Sequence, residues 1–153
     1  MKKIYIAFLL VCVPFCVKAQ ELTMTALFKE MPDSLMPYLS RNNRLDMIDF
    51  MEANMKAEVT NLLDGRSCMT AMSADSLSIR LSDVLQVEMK LLPAEEQADS
   101  SWQQIRVRRL YTINENQTTC IVKIYNVAWE LLRSYVEHST LLNRDERVLQ
   151  PRP

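Results

Sequence analysis

Two different repeats divide this chain. Over residues 22–55 the apolar positions return every three or four residues, the spacing of one helix face, and beyond Met55 they return every second residue, the spacing of a half-buried strand. Leu22 and Ala26 begin the helical pattern, and Leu27, Phe28 and Met31 form its oily side. Met31-Pro32 stops it, because proline disfavours the helical conformation of the residue before it. Asp33 or Ser34 starts a short second turn through Leu35 and Met36, with Pro37 at an early helical position where it is tolerated. The best-defined helix follows. Asn43 is its expected N-cap with Asp46 three residues on, and Leu45, Ile48, Met51 or Glu52, and Met55 lie along one face.

In the second stretch, Leu77, Ile79 and Leu81 alternate with Ser78 and Arg80, and Leu85, Val87, Met89 and Leu91 alternate with Gln86, Glu88 and Lys90. The segments LLDGRS and MSADS carry turn residues, and Asp64-Gly65 is the strongest hairpin signal in the chain. Further strands are predicted over residues 103–112 and 119–126, joined by the polar NENQ, with a last one over residues 129–135. Residues 93–101, PAEEQADSS, follow neither period and read as a surface loop. Short connections favour antiparallel pairing. The fold predicted is α+β, with N-terminal helices packed on an antiparallel β-sheet meander; the alternative is a β-sandwich or small barrel with a helical cap.

The first nineteen residues stand apart from both repeats. Lys2 and Lys3 precede an apolar run of about fourteen residues, and Val17 and Ala19 are small residues of the kind read before a cleavage site, here between Ala19 and Gln20. The run is short of the roughly twenty residues that span a bilayer, so residues 1–19 read as a secretory signal peptide and not as a transmembrane segment. A lipid anchor is not expected: Val11 precedes Cys12 and Phe15 precedes Cys16, where a small residue would be needed. The division predicted is a signal peptide over residues 1–19, one domain over residues 20–136, and a charged, partly disordered tail over residues 137–153. The address expected is the periplasm or the extracellular space.

Composition narrows the chemistry. Without residues 1–19 the chain carries 15 basic against 19 acidic residues, a net charge of −4 that argues against nucleic acid as a partner. Gly65 is the single glycine, which excludes Gly-rich phosphate cradles. His138 is the single histidine, so a multi-histidine metal centre is excluded and a catalytic triad would depend on that one residue. No cofactor is expected. Cys68 and Cys120 are candidates for a disulfide in an oxidising compartment, or alternatively two buried thiols.

Several other residues are candidates for a site. Asp46, Asp49 and Glu52 repeat every three residues on the best helix, where they could hold a hard cation or act as acid and base, or simply serve the helix N-terminus and pair with Lys56. Met47, Met51 and Met55 fall at i, i+4 and i+8 and suit either a core or a soft ligand groove. Arg106, Arg108 and Arg109 form the densest basic cluster, beside Trp102 and Tyr111. Arg106 and Arg108 share one strand face, which fits a solvated outer surface or the binding of an anionic glycan or peptide. Ser34 and Ser76 each follow an aspartate and precede a leucine, a pattern that marks them as candidates for O-glycosylation.

Residues 31–67, MPDSLMPYLSRNNRLDMIDFMEANMKAEVTNLLDGRS, together with VEMKLLP at 87–93, resemble an uncharacterised exported protein family of Bacteroidales, domain of unknown function 3256. NNRLDMIDF and EMKLLP are the most specific stretches. The resemblance implies a Gram-negative host and an export route, and it brings no catalytic residue with it. The function expected is a non-enzymatic binding module of the cell envelope whose partner is an envelope protein, a glycan or an apolar ligand. The alternative is a carboxylate-dependent hydrolase using Asp46, Asp49 or Glu52 on a glycan or peptide.

Overall fold

The computed structural model describes residues 22–93, 103–114 and 117–140, the last three by backbone alone. Strands β1 (Glu58–Thr60), β2 (Arg66–Met72), β3 (Ser76–Ser82), β4 (Leu85–Leu91), β5 (Gln104–Asn114), β6 (Gln117–Asn126) and β7 (Leu131–Thr140) form one antiparallel sheet in chain order. Among the described residues, helices are confined to α1 (Met24–Lys29), a 3-10 turn at Asp33–Leu35 and α2 (Arg41–Glu52).

This corrects the predicted fold class. The domain is dominated by its seven-stranded sheet, with two short helices, instead of being a layer of helices on a sheet. Pro32 and Pro37 cut the N-terminal helical pattern into short pieces, and Asn54, in the left-handed conformation at φ 54°, follows the end of α2. Beyond it the regular elements of the described residues are all strands. The last of these continues to Thr140 because β6 supplies partners along its whole length, from Tyr125 opposite Leu131 to Gln117 opposite Thr140.

The cap of α2 also differs from the expectation. Ser40 is the N-cap: its Oγ accepts from the Asn43 backbone N–H at 3.2 Å, and the Asn43 side chain accepts from the Ser40 N–H at 3.1 Å. Asn43 therefore completes a reciprocal box from the third helical position. The buried stripe of α2 is Arg44, Met47 and Ile48, with Phe50 and Met51 partly buried against the same core.

Residues paired across an antiparallel ladder share a face. One face carries Leu77, Ile79, Leu81, Val87, Met89, Ile105 and Val107, which are buried with Met24 and Phe28 of α1 and Met47 and Ile48 of α2. Helix α1 rests on β3 and β4, and α2 on β1 and β2. On the opposite face Glu88 lies across from Arg108 and Lys90 from Arg106, while Cys120, Val122 and Ile124 of β6 form a second small cluster with Leu92 and Leu110.

The β1–β2 hairpin forms where Asp64-Gly65 predicted it, with a different turn. Residues 61–65 make a longer loop, and Asp64 rather than Gly65 takes the left-handed conformation, at φ 58°. The side chain of Asn61 organises that loop. Its Oδ1 accepts from the backbone N–H groups of Leu63 and Gly65, and its Nδ2 donates to Ser67 Oγ.

Glu58 on β1 gives a pH-dependent prediction. Hydrogen bonds from Lys56 and Arg66 hold its carboxyl below the ordinary value of 4.5. Because the folded state prefers the ionised form, the stabilisation is present above the unfolded-state pKa and is lost as pH falls through the folded-state one. Glu58→Gln is expected to lower Tm at neutral pH and to match the parent at roughly pH 2. Thermal melts at both pH values test this, and an equal gap at both would contradict it.

Candidate functional site

The carboxylates of α2 do not converge on a cleft. Asp46, Asp49 and Glu52 are exposed, and no group of three or more potential metal-ligating side chains occurs among the described residues. Asp75 and Asp83, which could have opposed the helix, sit in the β2–β3 and β3–β4 turns, at opposite ends of the sheet. Met47 is fully buried, Met51 half-buried, and Met55 is 59% exposed beyond the helix end, so the three methionines do not line one groove.

Arg106 and Arg108 occupy the face away from the helices, as alternation with Ile105 and Val107 requires. Arg108 pairs with Glu88 at 2.7 Å and Glu137 at 3.2 Å. With Glu88 and Lys90 the two arginines border a shallow hollow of about 170 Å³ that carries both signs of charge. Trp102, the expected stacking partner, lies outside the described residues, as do Ala19, Gln20, the loop residues 94–101 and the side chain of His138.

The candidate disulfide is not formed. Cys68 on β2 and Cys120 on β6 are free, and the three strands between them place their backbones roughly 19 Å apart at the usual strand spacing. A disulfide requires Cα atoms within about 7 Å. Burial pushes the Cys120 thiol up, which keeps it protonated and unreactive near neutral pH. Of the two glycosylation candidates, Ser34 is exposed on the 3-10 turn, whereas Ser76 is half-buried with its Oγ 2.8 Å from Ser73 Oγ.

A concavity lies on the helix-side face of β5 and β6, with no residue of α1 or α2 in its described lining. Residues 34–38 form one wall of a cavity of about 300 Å³, and Arg109, Tyr111, Lys123 and Tyr125 stand on the sheet opposite them. Register puts them there. Arg109 lies across from Val87 and Ile121, Lys123 across from Val107, and Tyr125 across from Ile105, all on the core side. Arg109 Nη2 donates to Leu35 O at 2.6 Å and fastens the 3-10 turn over the sheet. The Leu62 N–H donates to Tyr38 O at 3.0 Å, which ties the next part of that wall to the β1–β2 hairpin.

The electrostatics of this cavity are one-sided. Among the described residues two cations line it and no Asp or Glu does. Lys123 has no acidic partner among the described residues. Tyr125 is 2% exposed, and its hydroxyl has no hydrogen-bond partner among the described residues. The arrangement suits a negatively charged group accompanied by hydroxyls. The sequence does carry a trace of it: the alternation Ile105, Val107 is continued by Arg109, and Ile121 is followed by Lys123 before Tyr125, so each of two strands has a cation at a core-side position. Only the register shows that the two are neighbours.

Comparison with known proteins places the chain without assigning an activity. The family described as "Protein of unknown function (DUF3256)" matches residues 15–139. No curated protein matches the chain. A solved structure described as a domain of an uncharacterized protein from Porphyromonas gingivalis W83 is similar, with 20% identity over 71% of this chain and a TM-score of 0.57. This chain spans 52% of that one. At that identity the likeness is one of fold. No helix among the described residues is long and apolar enough to cross a membrane.

Proposed function

This chain belongs to the DUF3256 family of proteins of unknown function, and we propose that it is a non-enzymatic, exported binding module of the bacterial cell envelope. The observation that carries the reading is the cavity beneath residues 34–38, lined by Arg109 and Lys123 with no carboxylate among its lining residues. A concave site with a few convergent polar groups is the usual form of a binding site. Export is supported by the basic start, short apolar run and small residues before Gln20.

A photo-crosslinking residue placed at Ser34, on the cavity wall, or at Asp46, on the exposed side of α2, tests this in the native cell. The expected result is an adduct from position 34 and none from 46, on a protein recovered from the envelope or periplasmic fraction with Gln20 as its first residue. Equal labelling from both positions would overturn the assignment of the site. Retention of an uncleaved chain in the cytoplasm would overturn the envelope role.

A further inference from the structure

We infer that the cavity holds a single acidic sugar, its anionic group between Arg109 and Lys123 and its hydroxyls against the surrounding tyrosines and Ser34; this rests on the reading of the cavity as the binding site. Arg109 and Lys123 are diagonal neighbours on adjacent strands, since Arg109 faces Ile121 and Val107 faces Lys123. Such a diagonal spans roughly 7–8 Å, within reach of two long side chains converging on one anion. Without an anion the two like charges repel, and no acid among the described lining residues offsets them.

The remaining polar groups distinguish an acidic sugar from an apolar acid. Ser34, Tyr38, Tyr111 and Tyr125 all line the cavity, and the hydroxyl of each can donate and accept. The Tyr125 hydroxyl is buried without a partner among the described residues, a cost that a ligand hydroxyl would remove. Leu81, Leu85 and Ile121 provide an apolar wall suited to the C–H face of a sugar ring. The volume of about 300 Å³ is at the lower end of small-molecule sites, roughly 300–1,000 Å³, which is room for one ring.

Titration calorimetry with glucuronate, glucose 6-phosphate, glucose and inorganic phosphate tests the inference on the parent, Lys123→Gln and Lys123→Arg proteins. Expected are saturable heats for glucuronate, glucose 6-phosphate or both, with glucose and inorganic phosphate weaker by about tenfold or more. The stronger of the two acids identifies carboxylate or phosphate as the natural anion. Lys123→Gln should weaken binding by about tenfold or more without lowering Tm, since it removes one of two like charges, and Lys123→Arg should restore most of the affinity. A purely structural lysine would not produce that combination. Glucose binding as tightly as both acids, an unaffected Lys123→Gln, or no heat from any of the four would each overturn the inference. Absence of heat together with a persistent crosslink from position 34 would defeat the acidic sugar alone, whereas loss of both would defeat the binding-module reading as well.

Discussion

Arg44→Ala is expected to destabilise the domain by about 3–5 kcal/mol, a shift in Tm on the order of 10 °C or more. Arg44 is a charged residue at only 1% exposure, and its guanidinium ties α2 to the chain that precedes it. It donates to Met31 O at 2.7 Å, to Leu39 O at 3.2 Å and to Asp33 at 2.7 Å, and it lies over the Phe28 ring at 5.9 Å from the centroid. Truncation removes the donors of two backbone carbonyls and leaves a void beside Phe28, and both effects act in the same direction. The ion pair is the smaller part. The Asp33 side chain is 65% exposed, so Asp33→Ala should cost about 1 kcal/mol or less. Urea denaturation of the two variants separates the contributions, and equal losses would show that the charge pair, not the carbonyl contacts, holds α2 in place.

Asn61→Ala should cost about 2–3 kcal/mol. Asn61 is buried at 8% exposure in the loop between β1 and β2, and it bonds Leu63 N–H, Gly65 N–H and Ser67 Oγ at 2.9, 3.0 and 3.0 Å. Solvent can take over the two loop N–H groups in part. Ser67, at 1% exposure, keeps its own bond to Leu81 O at 2.8 Å, which keeps the cost below that of Arg44. Gly65→Ala brings a Cβ to 3.2 Å from Asn61 Nδ2, so the amide must shift by a few tenths of an ångström. In the Asn61→Ala background that penalty should vanish, and a double-mutant cycle measures the difference. Additive effects would mean that Gly65 is required for some other reason.

Both residues show what a sequence reading handles badly. Arg44 looks like a solvent-side residue of an amphipathic helix, and it is inside because carbonyls at Met31 and Leu39 lie where its guanidinium can reach them. Asn61 looks like an ordinary turn residue, yet its amide takes the place of several backbone partners. The cap of α2 failed for a related reason. Ser40 and Asn43 are both good N-caps, and choosing between them needed the reciprocal bond. The candidate site was barely legible: the basic cluster pointed to Arg106 and Arg108 and not to Arg109, and Lys123, fourteen residues later, joined Arg109 only through the β5–β6 register.

The chain by itself determined where the helical repeat breaks and where the two-residue repeat begins, because proline sterics and strand alternation act within a few residues. It likewise determined that Arg106 and Arg108 turn away from the core occupied by Ile105 and Val107. The tertiary structure decided how little of the domain is helical, that Arg44 is buried, that Cys68 and Cys120 are separated by three strands, and that two cations share a cavity without an acid. Those outcomes depend on pairing between segments distant in sequence. No local pattern encodes which residue of one strand will lie beside which residue of the next.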